Sequence, residues 1–219
     1  MNKALPQRLR GLEKNRLEAL IDGIFAVALT LLVLDIRLPD NLVVTTNADL
    51  LDHLLTLERH FVIYVVSFIV IGMYWINHHI QFHFVVLVNR RLIWVNLAYL
   101  LLVSFLPFAT DLIGDHKDLM LPCELYRGTL LALSGISYLH IEYLARHPEL
   151  TSSGFTPTVA ALIERRIELF ALVPIVSMVV AFFSTRAAVY AYVLLVMVHF
   201  LRGRIDDHIA APAQAAETA

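Results

Sequence analysis

The stretch Arg16-Leu-Glu-Ala-Leu-Ile-Asp22-Gly23-Ile-Phe25-Ala-Val-Ala-Leu-Thr30-Leu31-Leu-Val-Leu34-Asp35-Ile36 sets one acidic residue, Asp22, inside an apolar run that closes on a second, Asp35. From Ala19 to Ile36 the run approaches the length needed to cross hydrocarbon, about 20 mostly apolar residues, since each adds about 1.5 Å across a core of about 30 Å. Lys3, Arg8, Arg10, Lys14 and Arg16 precede it as in a secretory signal, but the run leads into Asp35, Arg37 and Pro39 with no small-x-small cleavage site at its end. It therefore reads as a retained transmembrane helix.

Five further stretches resemble the first in hydropathy: Phe61 to Ile80, with helix expected to run on to about residue 88, then Leu92 to Ile113, Leu125 to Leu144, Ile167 to Phe183, and Ala187 to Leu201. The last is short and spans only if His199 and Arg202 sit at the interface with their stems in lipid. The expected fold is all-α: one polytopic domain of six transmembrane helices over residues 1–205, followed by a small, polar and disordered tail over 206–219. Composition agrees, with 58% hydrophobic and 16% charged residues and a mean hydropathy of +0.69, so lipid is the main solvent.

A net charge of -2 argues against a nucleic-acid partner, which needs a clustered cationic surface. The basic residues instead report orientation. With six spans, one side carries Lys3, Arg8, Arg10, Lys14, Arg16, Arg90, Arg91, Arg146, Arg165, Arg166, Arg202 and Arg204, and the other only Arg37, Arg59, Lys117, Arg127 and Arg186. Lys and Arg collect on the cytoplasmic side, which puts both termini there. The lone Cys123 cannot form an intrachain disulfide.

Within the first helix, about 100° per residue places Ala19, Gly23, Ala26 and Thr30 on one face and Leu20, Ile24, Val27, Leu31 and Leu34 on a neighbouring one. Small residues at this spacing let helices approach closely, so the first face is expected to pack within the bundle. Asp22 lies on that side. An ionisable residue in a span needs a partner or a watery site, and Asp22 is placed to bond inside the bundle.

The first-helix string resembles the prokaryotic relatives of transmembrane protein 175, an endolysosomal potassium channel family. That family carries an Arg, three residues, then Phe-Ser-Asp and Gly-x-Phe-Ala-x-Ala-x-Thr-Leu-Leu-x-Leu-Asp. This chain keeps Arg16, Asp22, Gly23, Phe25, Ala26, Ala28, Thr30, Leu31, Leu32, Leu34 and Asp35, and departs at Leu20 and Ile21, where the family has Phe and Ser. The likeness continues through Tyr74-Trp75-Ile76-Asn77-His78-His79, Asn96 and Ser104-Phe-Leu-Pro107-Phe108, covering the first half of the chain; the second half matches by hydropathy alone.

The resemblance implies a homotetramer in a bacterial cytoplasmic (inner) membrane, its central pore lined by the first helix of each subunit. Val27, Leu31 and Leu34 would form an aliphatic constriction, Thr30 would supply a hydroxyl beside it, and Asp35 would sit at the outer mouth. Arg16, Asp22, Trp75, Asn77, His78 and Asn96 would form a polar network joining the first three helices. Potassium and other monovalent cations would pass transiently, with no resident metal or cofactor and no enzyme activity. An aliphatic ring a few ångströms wide dewets and blocks ions until it widens, and Thr-Val-Gly-Tyr-Gly, the carbonyl filter of other potassium channels, is absent from the sequence. Selectivity is then expected to be modest.

Other readings of the same residues stay open. Val27, Leu31 and Leu34 suit lipid-facing or core positions equally well, because apolar periodicity has no contrast in an apolar helix. Arg16 and Asp22 suit a helix-start charge pair, and Asp35 and Arg37 a membrane exit. A proton- or cation-coupled transporter would want broken helices, for which Pro107 and Pro174 are candidates, though no repeat accompanies them. His78, His79, His83, His140 and Glu142 invite a metal site by helical spacing, but the further His motifs of a membrane metalloenzyme are absent, and the histidines read as titratable interfacial groups.

Overall fold

The computed structural model describes residues 7–38, 45–116, 119–181 and 183. The expected span Ala187 to Leu201 and the tail from 206 lie outside them. Within them the chain is helical, with no strand: α1 (Gln7–Leu31), running on as a 3-10 turn (Leu32–Asp35), then α2 (Asn47–Thr56), α3 (Glu58–His83), α4 (Arg90–Asp115), α5 (Met120–Ala145), a short 3-10 turn (Pro148–Leu150) and α6 (Pro157–Ala181). Three helical segments are long and apolar enough to cross a membrane, Lys14–Asp35, Glu58–His83 and Arg90–Asp115, while α5 and α6 are of similar length, 26 and 25 residues.

The helix α4 is the hub, touching α1, α3 and α5, while α6 packs on α5. Its inward residues recur at helical spacing: Leu92, Asn96, Tyr99, Leu100, Val103, Leu106 and Thr110 are all buried. Among apolar lipid tails such packing is driven by close van der Waals fit and interhelical hydrogen bonds. Several of the latter run between helices here. The Tyr74 hydroxyl of α3 donates to the Leu130 carbonyl of α5 at 2.9 Å, and the Tyr99 hydroxyl of α4 donates to the Tyr74 carbonyl at 3.3 Å.

Several elements differ from their expected form. The polar interval between the first two spans contains α2, whose start is set by a capping box: the Thr46 hydroxyl accepts from the Asp49 amide at 3.1 Å, and the Asp49 carboxylate accepts from the Thr46 amide at 3.0 Å. Ten residues of mixed polarity carry no hydropathy signal, which hid this helix. Hydrogen bonds from the Thr45 and Thr46 hydroxyls, and then their amides, hold the Asp49 carboxyl below the usual carboxylate range. A lowered native pKa means the cap's contribution is present above the ordinary carboxylate pKa and fades as pH falls through the native one. Thr46→Ala is expected to fray α2 from its first turn, read as faster amide exchange over residues 47–50 with the rest of the fold unchanged.

Further on, α3 ends at His83, short of residue 88, although Phe84 to Val88 is apolar throughout. Backbone pairing explains the stop: the Val86 amide donates to the Leu150 carbonyl at 2.8 Å and the Ser152 amide to the Phe84 carbonyl at 2.9 Å, clasping this loop to the one after α5. In turn, α6 starts at Pro157, ten residues ahead of the apolar stretch that begins at Ile167. Proline suits a first helical turn, and Val159, Ala160, Ile163, Arg166, Ile167 and Phe170 present a buried face that carries the helix through its charged residues. Pro107 and Pro174 lie inside α4 and α6 without breaking either. Both are buried, where neighbouring helices accommodate the freed carbonyl.

Candidate functional site

The first helix divides into two faces. Leu17, Ile21, Phe25, Ala28 and Leu32, at intervals of three and four residues, are buried against α3 and α4. The ring of Phe25 meets that of Tyr99 with centroids 6.1 Å apart. The small-residue face was expected to do this packing, but Ala19, Gly23, Ala26 and Thr30 are all exposed in the protomer. Larger side chains win because an aromatic buried beside Tyr99 makes far more contact than alanine. Ile21, where the resemblance has a serine, is one of the buried five.

Beside the small residues runs the aliphatic stripe. Val27 and Leu31 of α1 and Leu34 of the 3-10 turn are 56%, 41% and 63% exposed, an apolar ridge without a partner among the described residues. The Thr30 hydroxyl donates back to its own helix, at 3.0 Å from the Ala26 carbonyl and 2.9 Å from that of Val27. Its oxygen lone pairs are thereby left outward, beside the ridge. Asp35 is half-buried at the end of the 3-10 turn, and one of its oxygens, Oδ2, is sealed without a hydrogen-bond partner. The titratable side chains near enough to act on it electrostatically include Asp111 and Asp115 of α4, with Arg37 and His60. The two α4 carboxylates were missed in the sequence, although the end of the third span and the end of the first must share a membrane face.

Of the six polar residues expected to form one network, four make two separate pairs. The Trp75 indole donates to Asp22 Oδ1 at 2.9 Å, joining α3 to α1. His78 Nε2 lies 2.8 Å from Asn96 Oδ1, joining α3 to α4, and the Asn96 amide donates back to the Leu92 carbonyl at 2.8 Å. Asp22, Trp75 and His78 line one cleft of about 210 Å³, with Ile21 and Phe82 as its apolar wall. Asn77 is buried on the far side of α3 with its carbonyl oxygen unpaired. Arg16 is exposed, and no described hydrogen bond or ion pair ties it to Asp22. Trp75→Phe keeps the ring but removes the donor to Asp22. It is expected to cost about 1.5 kcal/mol of stability in a thermal melt, the low end for a bond to a charged group because both partners are partly exposed.

The histidines do not converge. His78 and His140 are buried, their rings stacked with centroids 5.8 Å apart, whereas His79 and His83 are exposed. His140 is thus a core residue and not an interfacial one, held by Gln81 at 3.0 Å.

This is a polytopic helical membrane protein whose first helix offers an outward aliphatic ridge flanked by a hydroxyl and followed by carboxylates. Residues 16–107 match the family described as endosomal/lysosomal potassium channel TMEM175. A potassium channel of Chryseobacterium sp. is 36% identical over 129 residues, covering 59% of this chain and 63% of that one. A potassium channel of Chamaesiphon minutus is 36% identical over 125 residues, covering 56% of this chain and 61% of that one. The chain therefore spans somewhat under two thirds of the length of these two relatives. The crystal structure of a lysosomal potassium-selective channel TMEM175 homolog from Chamaesiphon minutus superposes with a TM-score of 0.72 at 27% identity, over 87% of this chain and 97% of that one. Over residues 16–107 the chain is similar to the TMEM175 family.

Proposed function

We propose that this protein is a potassium-permeable cation channel, a passive leak conductance whose constriction is made of aliphatic side chains in place of a carbonyl filter. The observation that carries the reading is the ridge of Val27, Leu31 and Leu34, left open by a helix whose opposite face is fully engaged. A lone helix cannot enclose a path, so several copies must bring their ridges to a common axis; four copies is the number the family resemblance implies. There Val27, Leu31 and Leu34 form a narrow dewetted ring, and Thr30 offers an acceptor to a partly dehydrated cation. Asp35, with Asp111 and Asp115 behind it, raises the cation concentration at the outer mouth. The pairs Asp22–Trp75 and His78–Asn96 hold α1 at a fixed angle to α3 and α4.

In this reading residues 1–205 form one six-helix domain and 206–219 a tail, both termini face the cytoplasm, and the membrane is a bacterial inner membrane. Purified protein in liposomes with a potassium gradient is expected to pass current that needs neither a proton nor a sodium gradient. Strict coupling to either ion would instead make it a transporter. Subunit counting in nanodiscs is expected to give four copies, and a monomer would end the proposal.

A further inference from the structure

The helix α2 is amphipathic, and its apolar side is uncovered. At about 100° per residue, Leu50, Leu51, Leu54 and Leu55 fall on one side and Asp49, Asp52, His53 and Thr56 on the other, the apolar side being interrupted only by Asn47 at the first position. Leu51, Leu54 and Leu55 are 57%, 49% and 63% exposed, and no residue of α2 is buried. Ten residues make a helix about 15 Å long, half of what crosses hydrocarbon. A helix this short is marginal in water even when capped, and an open leucine face adds to the cost.

Its place in the chain says what lies against that face. On one side it follows the 3-10 turn that closes the apolar segment Lys14–Asp35, and on the other it passes through a single residue, Leu57, into the segment Glu58–His83. Arg59, in the first turn of α3, donates from Nη2 to the Ile113 carbonyl at 3.2 Å, which sets the start of α3 level with the end of α4. The helix is thus tied to the membrane boundary at which these spans end. Directly after it, Phe61, Val62 and Val65 are exposed on α3 and continue the open apolar surface toward the hydrocarbon. Charge narrows the kind of surface further. Between Asn47 and Thr56 there are two carboxylates, Asp49 and Asp52, and no Lys or Arg, so anionic headgroups offer no attraction and contact rests on apolar burial.

We propose that α2 is an interfacial helix lying along the bilayer surface where α3 begins, with Leu50, Leu51, Leu54 and Leu55 among the acyl chains of zwitterionic lipids and Asp49, Asp52 and Thr56 toward water. Interfacial helices of this kind sink about 5–10 Å into the boundary between headgroups and acyl chains. The capping box of Thr46 and Asp49 then starts the helix, and the bilayer covers it. Anchored in this way, α2 fixes the height at which α3 enters the membrane.

The test reads no ion flux, so it stands apart from the conduction proposal. Leu51→Cys, Leu55→Cys, Asp52→Cys and Thr56→Cys are each made in the full chain, spin-labelled and placed in phosphatidylcholine nanodiscs. The native Cys123 is buried, and an unsubstituted control corrects for any label it takes. None of the four changes removes a buried side chain, so each variant keeps its fold. Labels at the two leucine positions are expected to collide severalfold more with dissolved oxygen, relative to a water-soluble nickel chelate, than labels at the aspartate and threonine positions. Equal and high access to nickel at all four positions would stand the helix in water and overturn the proposal. Poor access to both quenchers at the leucine positions, with spin–spin broadening between subunits, would put a second copy against that face and overturn it as well.

Discussion

Leu31→Ala is expected to raise potassium conductance about tenfold and to weaken discrimination among monovalent cations, since lowering a permeation barrier by about 1.4 kcal/mol has that effect on a rate. Leu31 is 41% exposed, so its truncation opens no cavity within the protomer. What it removes is apolar bulk at the narrowest part of the proposed ring, once per subunit, where a small gain in radius lets water follow the ion through. The melting temperature should therefore change little while the current changes greatly. Leu34→Ala should act in the same direction. Single-channel recording in planar bilayers measures both quantities, and unchanged currents in both variants would mean that another helix lines the path.

Phe25→Ala should have the opposite profile. Phe25 is 1% exposed and rests on Tyr99, so its removal leaves a hole in the seam between α1 and α4 that rigid helices cannot close. Large-to-small changes of this kind cost about 3–5 kcal/mol. A marked fall in Tm or in recovered folded protein is expected, and Phe25→Leu should restore most of it. If Phe25→Ala were as stable as wild type while Leu31→Ala unfolded, the assignment of the two faces of α1 would be reversed. The pair of experiments separates the structural side of the helix from its proposed conducting side without reference to any relative.

Much of the membrane architecture is written in local composition. An apolar run of about 20 residues has few alternatives in lipid, because a helix satisfies its own backbone. Thus Phe61 to Ile80 and Leu92 to Ile113 fall within described helices, Ala19 to Ile36 does so but for its last residue, and the aliphatic ridge is visible as spacing. Boundaries were less legible. The end of α3 at His83 depends on amide and carbonyl partners around residue 150, and the early start of α6 depends on which of its faces α5 covers. The short α2 is specified by a cap and not by hydropathy, which is why the Thr46 hydroxyl and the Asp49 carboxylate mattered more than any average.

By itself the sequence determined that this chain is a helical membrane protein, and the residues of its first helix pointed to a family, because both readings rest on neighbours along the chain. Only the tertiary structure decided which side of that helix is occupied, since every side is apolar and the choice falls to whichever side chains make most contact beside Tyr99. It likewise decided the polar partners: Asp22 and Trp75 are 53 residues apart, and Gln81 and His140 are 59. A hydrogen bond depends on separation in space, which packing creates and which no local pattern of residue types records.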